Sequence, residues 1–243
     1  MTGRTSISPV LAAALVSAGL LGAGWFAGNG MAKLRTDDRF VTVKGSPEQD
    51  VAANLLVWPL ADSVSGNELV NVQRRLDANT AAIRGFFTGA GFGEEEITVA
   101  PPRLEDRWAW ADGENRPADR YRYSTTVTLR TTDVAKAQQV LRRSGELVSQ
   151  GILLGGEGDE GGPGGSGPEF SHTGLNSIKP ALIAEATAEA RKAAEQLAKD
   201  SGARLGGIRS ANQGVITISD RDRGSPQTKT IRVVTTVEYF LKG

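Results

Sequence analysis

The sequence predicts an α+β protein: mostly antiparallel strands in ββα-type units with three amphipathic helices, preceded by an N-terminal hydrophobic helix. Three observations carry this. Tyr121, Tyr123, Thr125, Val127 and Leu129 alternate with Arg120, Arg122, Ser124, Thr126, Thr128 and Arg130, the period of an antiparallel strand with one wet face. Apolar residues recur at helical spacing after Asn67, after Asp133 and after Ser177. Strand patterns fall in pairs between these helices, in the order β-β-α-β-β-α-β-loop-α-β-β. Such an order favours antiparallel sheet over a parallel doubly wound one.

The chain opens with residues 5–32, which carry no charge, and residues 10–27 are apolar. A transmembrane helix over about residues 9–27 has the length to cross a hydrocarbon core, which takes roughly 20 residues. Residues 1–32 therefore read as a signal anchor or a signal peptide, with Gly30-Met31-Ala32 as the cleavage candidate. Gly24 with Gly28, and the row Ala14, Ala18 and Gly22, would permit close packing of this helix. Arg4 lies before the span, and Lys33, Arg35, Arg39 and Lys44 lie after it. Counting nearby Lys and Arg does not put the short end inside, but long domains translocate largely regardless of such charges. Residues 33–243 are expected as one exported domain.

Within it, Phe40–Gly45 is a short strand ending at a turn. Residues 51–64 form a longer apolar run interrupted by Pro59, which marks an edge strand or a bulge because proline cannot donate to a ladder. Asn67 opens a helix whose apolar stripe is Val72, Leu76, Ile83, Phe87 and Ala90, and Gly89 and Gly91 end it. Residues 97–104 are a strand broken by Pro101-Pro102. After the alternating strand, Thr132 or Asp133 caps a helix with Val134, Ala137, Leu141 and Val148 inward. Ile152-Leu153-Leu154 reads as a short strand, followed by a flexible Gly-rich loop over residues 155–168. The longest helix runs from Asn176 or Ser177 to about Ser201, with Ile178, Leu182, Ala186, Ala190, Ala193 and Leu197 on one side. Its exposed side carries Arg191, Glu195 and Lys199 at i,i+4 spacing. Gly202 stops it. Residues 214–219 and 230–241 are the last strands, joined by a polar hairpin loop.

Composition excludes several classes of function. Lys and Arg total 28 against 28 Asp and Glu, for a net charge of zero, so the chain offers no excess of cations for nucleic-acid phosphates. It has no Cys and one His, which removes disulfides, thiolate metal sites and a Cys nucleophile. Residues 156–161 match GxGxxG, but their acidic charges repel a pyrophosphate and Pro163 follows instead of a helix. Residues 220–224 resemble the start of a calcium loop, but Ile231 stands where the bidentate Glu belongs. His172 with Glu169 and Ser171, and the run Glu94-Glu95-Glu96, are neighbours in sequence without a catalytic spacing. No catalytic residue, metal or cofactor is expected, and the protein reads as a non-enzyme. Trp108 and Trp110 share a face if their segment is extended. They either pack on their own sheet or form an oligomer or partner contact, since Trp is enriched in interface hot spots.

The opening Val41-Thr42-Val43-Lys44-Gly45, the stretch with Ala190-Arg191, Ala194-Glu195, Leu197-Ala198, Gly202 and Leu205-Gly206, and the close at residues 232–239 resemble the SIMPL-domain family. That family includes bacterial periplasmic immunogenic proteins, and the resemblance covers residues 39–241. It implies an α+β envelope domain on the periplasmic side of a bacterial inner membrane, or soluble there after signal cleavage. It also implies a homo-oligomer, ring-like or channel-like in some members, with links to stress defence in others. The alternative is a binding or adaptor module for a small ligand or envelope partner. The Gly-rich insert after Leu154 departs from the family pattern.

Overall fold

The computed structural model describes residues 17–26, 39–109, 116–152 and 167–243. Residues 17–26 are helical. The elements that follow are β1 (Phe40–Gly45), β2 (Glu48–Ala52), β3 (Leu55–Gly66) and α1 (Leu69–Gly89). A 3-10 turn (Glu94–Glu96) leads to β4 (Ile97–Val99), β5 (Arg103–Asp106) and β6 (Tyr121–Thr131). Then come α2 (Val134–Leu141), α3 (Gly145–Ser149), β7 (Glu169–Ser171), α4 (Leu175–Asp200), β8 (Arg204–Asp220) and β9 (Thr228–Lys242). Helices pack on antiparallel sheets, so the fold is α+β. One sheet has the order β4-β6-β3-β7 with β5 also on β6, and the other has β1-β9-β2 with β8 also on β9.

The chain divides into two compact units. The first includes residues 39–48, Lys179–Thr217 and Arg232–Gly243; the second is Gln49–Ile178 with Ile218–Ile231. Among the described residues no helix is long and apolar enough to cross a membrane. The rest of the expected span over residues 9–27 and the Gly30-Met31-Ala32 cleavage candidate lie outside the described residues, as does most of the Gly-rich loop.

In the second unit, α1 lies on β3 and β6. Leu56, Trp58, Leu60, Ile83, Phe87, Val127, Leu129 and Leu147 form one buried cluster. Phe87 is its hub, edge-on to Trp58 with ring centroids 5.4 Å apart and to Phe92 at 6.3 Å. The expected α1 stripe is the observed one for Val72, Leu76, Ile83 and Phe87. Pro59 lies just past the three-residue pairing of β3 with β7, where the described ladder continues with β6 alone. That is the edge position proline requires.

In the first unit, Ala190 and Ala194 of α4 pack on Val41, Val43, Val237 and Tyr239. The approach is so close that a Cβ on Gly45 would lie 1.8 Å from the carbonyl oxygen of Ala186. Gly45 is therefore glycine because the helix backbone occupies the space of a side chain. Gly202 ends α4 at φ +69, a conformation that L side chains rarely adopt.

The structure corrects several element-level expectations. The helix expected to run on to Val148 breaks after Leu141, and α3 restarts at Gly145. The break re-phases the stripe: Ala137, Val140 and Leu147 are buried while Val148 is 53% exposed. The buried row of α4 is Leu182, Ala186, Ala190, Ala194 and Ala198, so Ala193 and Leu197 face out. That row steps by four along one side of the helix. Ile152 is buried but lies outside any strand, and Leu153 and Leu154 are not described. Finally, β8 begins at Arg204, ten residues before the expected strand. Residues 207–213 are exposed on both faces, so no alternation marked them.

Candidate functional site

A concave site in the second unit is built by a bulge. β4 pairs Ile97 with Leu129 and Val99 with Val127, and the Ala100 N–H donates to the Thr126 carbonyl at 2.9 Å. β5 resumes the ladder with Arg103 opposite Ser124 and Glu105 opposite Arg122. Pro101 and Pro102 together therefore stand opposite Thr125 alone, a two-against-one bulge. The prolines have no N–H to leave unpaired. The Thr125 hydroxyl ties the bulge down by donating to the Ala100 carbonyl at 2.8 Å.

The extra residue inverts the alternation of the edge strand. Trp58 and Leu60 of β3 pair with Leu129 and Val127 on the face covered by α1, whereas Ser63 pairs with Ser124 on the opposite face. Without the bulge, Arg103 and Glu105 would follow Val99 toward the helix. With it, they join Ser63, Arg122, Ser124 and Thr126 on the open face, around a cavity of about 420 Å³. Pro101 and Ala100 supply its wall. Arg103 is exposed, and neither its guanidinium nor the Glu105 carboxylate has a side-chain partner among the described residues. The same holds for the hydroxyls of Ser63, Ser124 and Thr126. The sequence reading found the Pro101-Pro102 break but missed these residues. The signal was the change of phase across it.

On the covered face, Asp62 is 2% exposed. Its Oδ1 accepts from Asn79 Nδ2 at 3.3 Å, and its Oδ2 has no partner. Burial pushes this carboxyl above the usual aspartate range, against the opposing hydrogen bonds from Asn79 and Ser63 and the charge of Arg75.

Trp108 is half-buried in the arm that joins β5 to β6. Its Nε1 donates to the Pro117 carbonyl at 2.9 Å, and Arg116 and Arg120 lie 5.6 and 5.7 Å from its ring centroid. Arg120 also grips Asp106 with two guanidinium nitrogens, and this bond holds the Asp106 carboxyl below the usual range. Trp110 lies outside the described residues, so the expected pairing of the two tryptophans on one face has no description.

The remaining candidates are scattered. His172 Nδ1 lies 2.9 Å from the Ala52 carbonyl. Glu94 pairs with Arg84, and Glu96 accepts from the Gly93 N–H at 2.9 Å. Asp222 accepts from the Gly224 N–H and pairs with Arg221, as a polar hairpin turn does. Among the described residues no three His, Cys, Asp or Glu side chains converge as metal ligands.

A second surface feature is β8 of the first unit. Its described partner is β9, and residues 210–217 carry no charge and no proline. Val215 is 77% exposed and Ile208 55%. Natural edge strands are commonly blunted by Lys, Pro or a short length; this segment has none of these.

The two helix-on-sheet cores and their antiparallel sheets define an α+β fold. The family model that matches, over residues 41–239, is SIMPL, described as a protein of unknown function (DUF541). The chain belongs to the SIMPL family. No curated protein matches it.

Proposed function

We propose that this SIMPL-domain chain is an exported bacterial envelope protein that works by self-assembly rather than by catalysis. The observation that carries the reading is the β8 edge: eight successive uncharged residues, 210–217, all exposed but the half-buried Ile216, with β9 as their strand partner among the described residues. A second copy presenting the same edge adds a strand antiparallel to it, an isologous pairing in which neutral residues meet neutral residues when the register is centred on 210–217. The uncharged segment at residues 5–32 and the absence of Cys support export and retention at the inner membrane, with the domain in the periplasm. Trp108 and Trp110 are candidates for a further subunit contact.

The test is the absolute mass of the full chain in mild detergent, by light scattering coupled to size separation. A discrete oligomer that falls to monomer in Val215→Lys supports the reading, because a charge on an edge opposes strand addition. A monomeric parent protein, or an oligomer indifferent to Val215→Lys, overturns assembly through β8. In the latter case the double substitution Trp108→Ala with Trp110→Ala tests the other contact.

A further inference from the structure

We propose that the bulged pocket of the second unit binds a small carboxylate that carries a neighbouring hydroxyl or ammonium group, with Arg103 taking the carboxylate and Glu105 the donor. The geometry follows from the register. Arg103, Ser124 and Ser63 lie side by side across β5, β6 and β3, at strand spacings of about 4.8 Å. Glu105 lies two residues along β5 on the same face, about 7 Å from Arg103. One row thus offers a guanidinium fork flanked by hydroxyl donors, the pattern that matches a planar oxyanion. Beside it stands an acceptor-only carboxylate.

Glu105 decides the class of ligand. Arg122 stands opposite it on the same face, so Glu105 disfavours inorganic phosphate and dicarboxylates by offering an acceptor that their oxygens cannot satisfy, not by net repulsion. It accepts a hydrogen bond from an alcohol or ammonium, which favours α-hydroxy and α-amino acids over acetate. The cavity of about 420 Å³ falls in the range of small-molecule sites. The bulge supports a binding role independently. A one-residue insertion is a device that re-aims side chains, and this one turns two charged residues onto the open face.

The experiment titrates the full chain, in neutral detergent, with lactate, alanine, acetate and inorganic phosphate in turn, followed by calorimetry. Saturable binding of lactate or alanine, at least about tenfold tighter than acetate or phosphate, is expected. Arg103→Gln should weaken it by about tenfold or more, as loss of a charged hydrogen bond does. Glu105→Gln should erase the preference over phosphate while leaving binding measurable. Arg103 is exposed, so the variant should melt with the parent; Ser124→Ala provides a second probe of the same row. Absence of saturable binding by lactate and alanine overturns the proposal. So does phosphate binding more tightly than either, or affinity unchanged in both Arg103→Gln and Ser124→Ala. The oligomeric state is read separately, so neither result depends on the β8 edge.

Discussion

The two units solve one problem, seating a helix on an antiparallel sheet, in opposite ways. In the second unit α1 stands off the sheet on large side chains, with Phe87 between Trp58 and Phe92. In the first unit α4 approaches on alanines, and its backbone fills the place of a side chain at Gly45. A core built of bulk and a core built of closeness are sensitive to opposite substitutions. Removing volume should damage the second unit most, and adding volume should damage the first.

That contrast can be broken directly. Phe87→Ala should cost the most, about 3–5 kcal/mol, because it deletes transfer energy and leaves a cavity under three aromatic and aliphatic partners. Gly45→Ala adds a single methyl group and should still cost about 1–3 kcal/mol. Its Cβ meets backbone, which cannot swing aside as a flexible side chain would. Denaturant unfolding of the full chain checks both. If Gly45→Ala unfolds with the parent, α4 has room to retreat and the closeness argument fails.

Each core also holds one buried polar atom without a partner, Asp62 Oδ2 in the second unit and Thr235 Oγ1 in the first. The two differ because only the carboxyl can change its charge. Thr235 sits opposite Gly45 in the ladder, and Thr235→Val should stabilise by about 1 kcal/mol by removing an unsatisfied hydroxyl. Asp62 has a raised pKa in the folded state, so the folded protein holds its proton more tightly than the unfolded chain. Stability from this group is therefore full below the unfolded value of about 3.9 and is lost as pH rises through the folded one. Asp62→Asn should remove that loss. Its thermal midpoint should gain on the parent progressively as pH rises, by the equivalent of about 1.4 kcal/mol for each unit of elevation. A difference that is constant with pH would show that the Asp62 carboxyl titrates alike in the folded and unfolded states.

How much of this was legible follows from what leaves a pattern. β6 and α1 were readable because each has one buried face, and burial imposes period 2 or 3.6 on the residues. Gly202 was readable as a stop because a left-handed residue at a helix end selects glycine. β8 was not, since residues 207–213 are exposed on both faces and are held by backbone pairing, to which side-chain identity is nearly indifferent. α4 was assigned the wrong tail to its stripe because, in a run where most residues are Ala, sequence cannot distinguish Ala193 from Ala194. The pocket was hidden for a different reason. Its residues belong to β3, β5 and β6, and only the register shift at Pro101-Pro102 decides that Arg103 and Glu105 face Ser63.

The smallest effect is expected at the exposed ion pairs, and it sharpens the contrast within the second unit. Asp106 is gripped by Arg120 through two nitrogens, and its carboxyl is held below the usual range chiefly by that bond. The sign is the reverse of that at Asp62. Stability from Asp106 is present above the unfolded value of about 3.9 and disappears as pH falls through the depressed folded one. Salt screens this pair because it is exposed, and surface pairs contribute little. Asp106→Asn should therefore lower the thermal midpoint only slightly at neutral pH. It should converge on the parent as pH falls through the depressed folded value, where the parent's carboxyl becomes protonated as well. The Arg191–Glu195 pair on α4, held at 2.9 Å, is a single i,i+4 contact, and Glu195→Gln should shift the midpoint less still. Melts of Asp62→Asn and Asp106→Asn should therefore depart from the parent in opposite directions as pH rises from acid, the first upward and the second slightly downward. Two curves that move together would mean that the buried and exposed carboxyls share one environment, contrary to a second-unit core that excludes water.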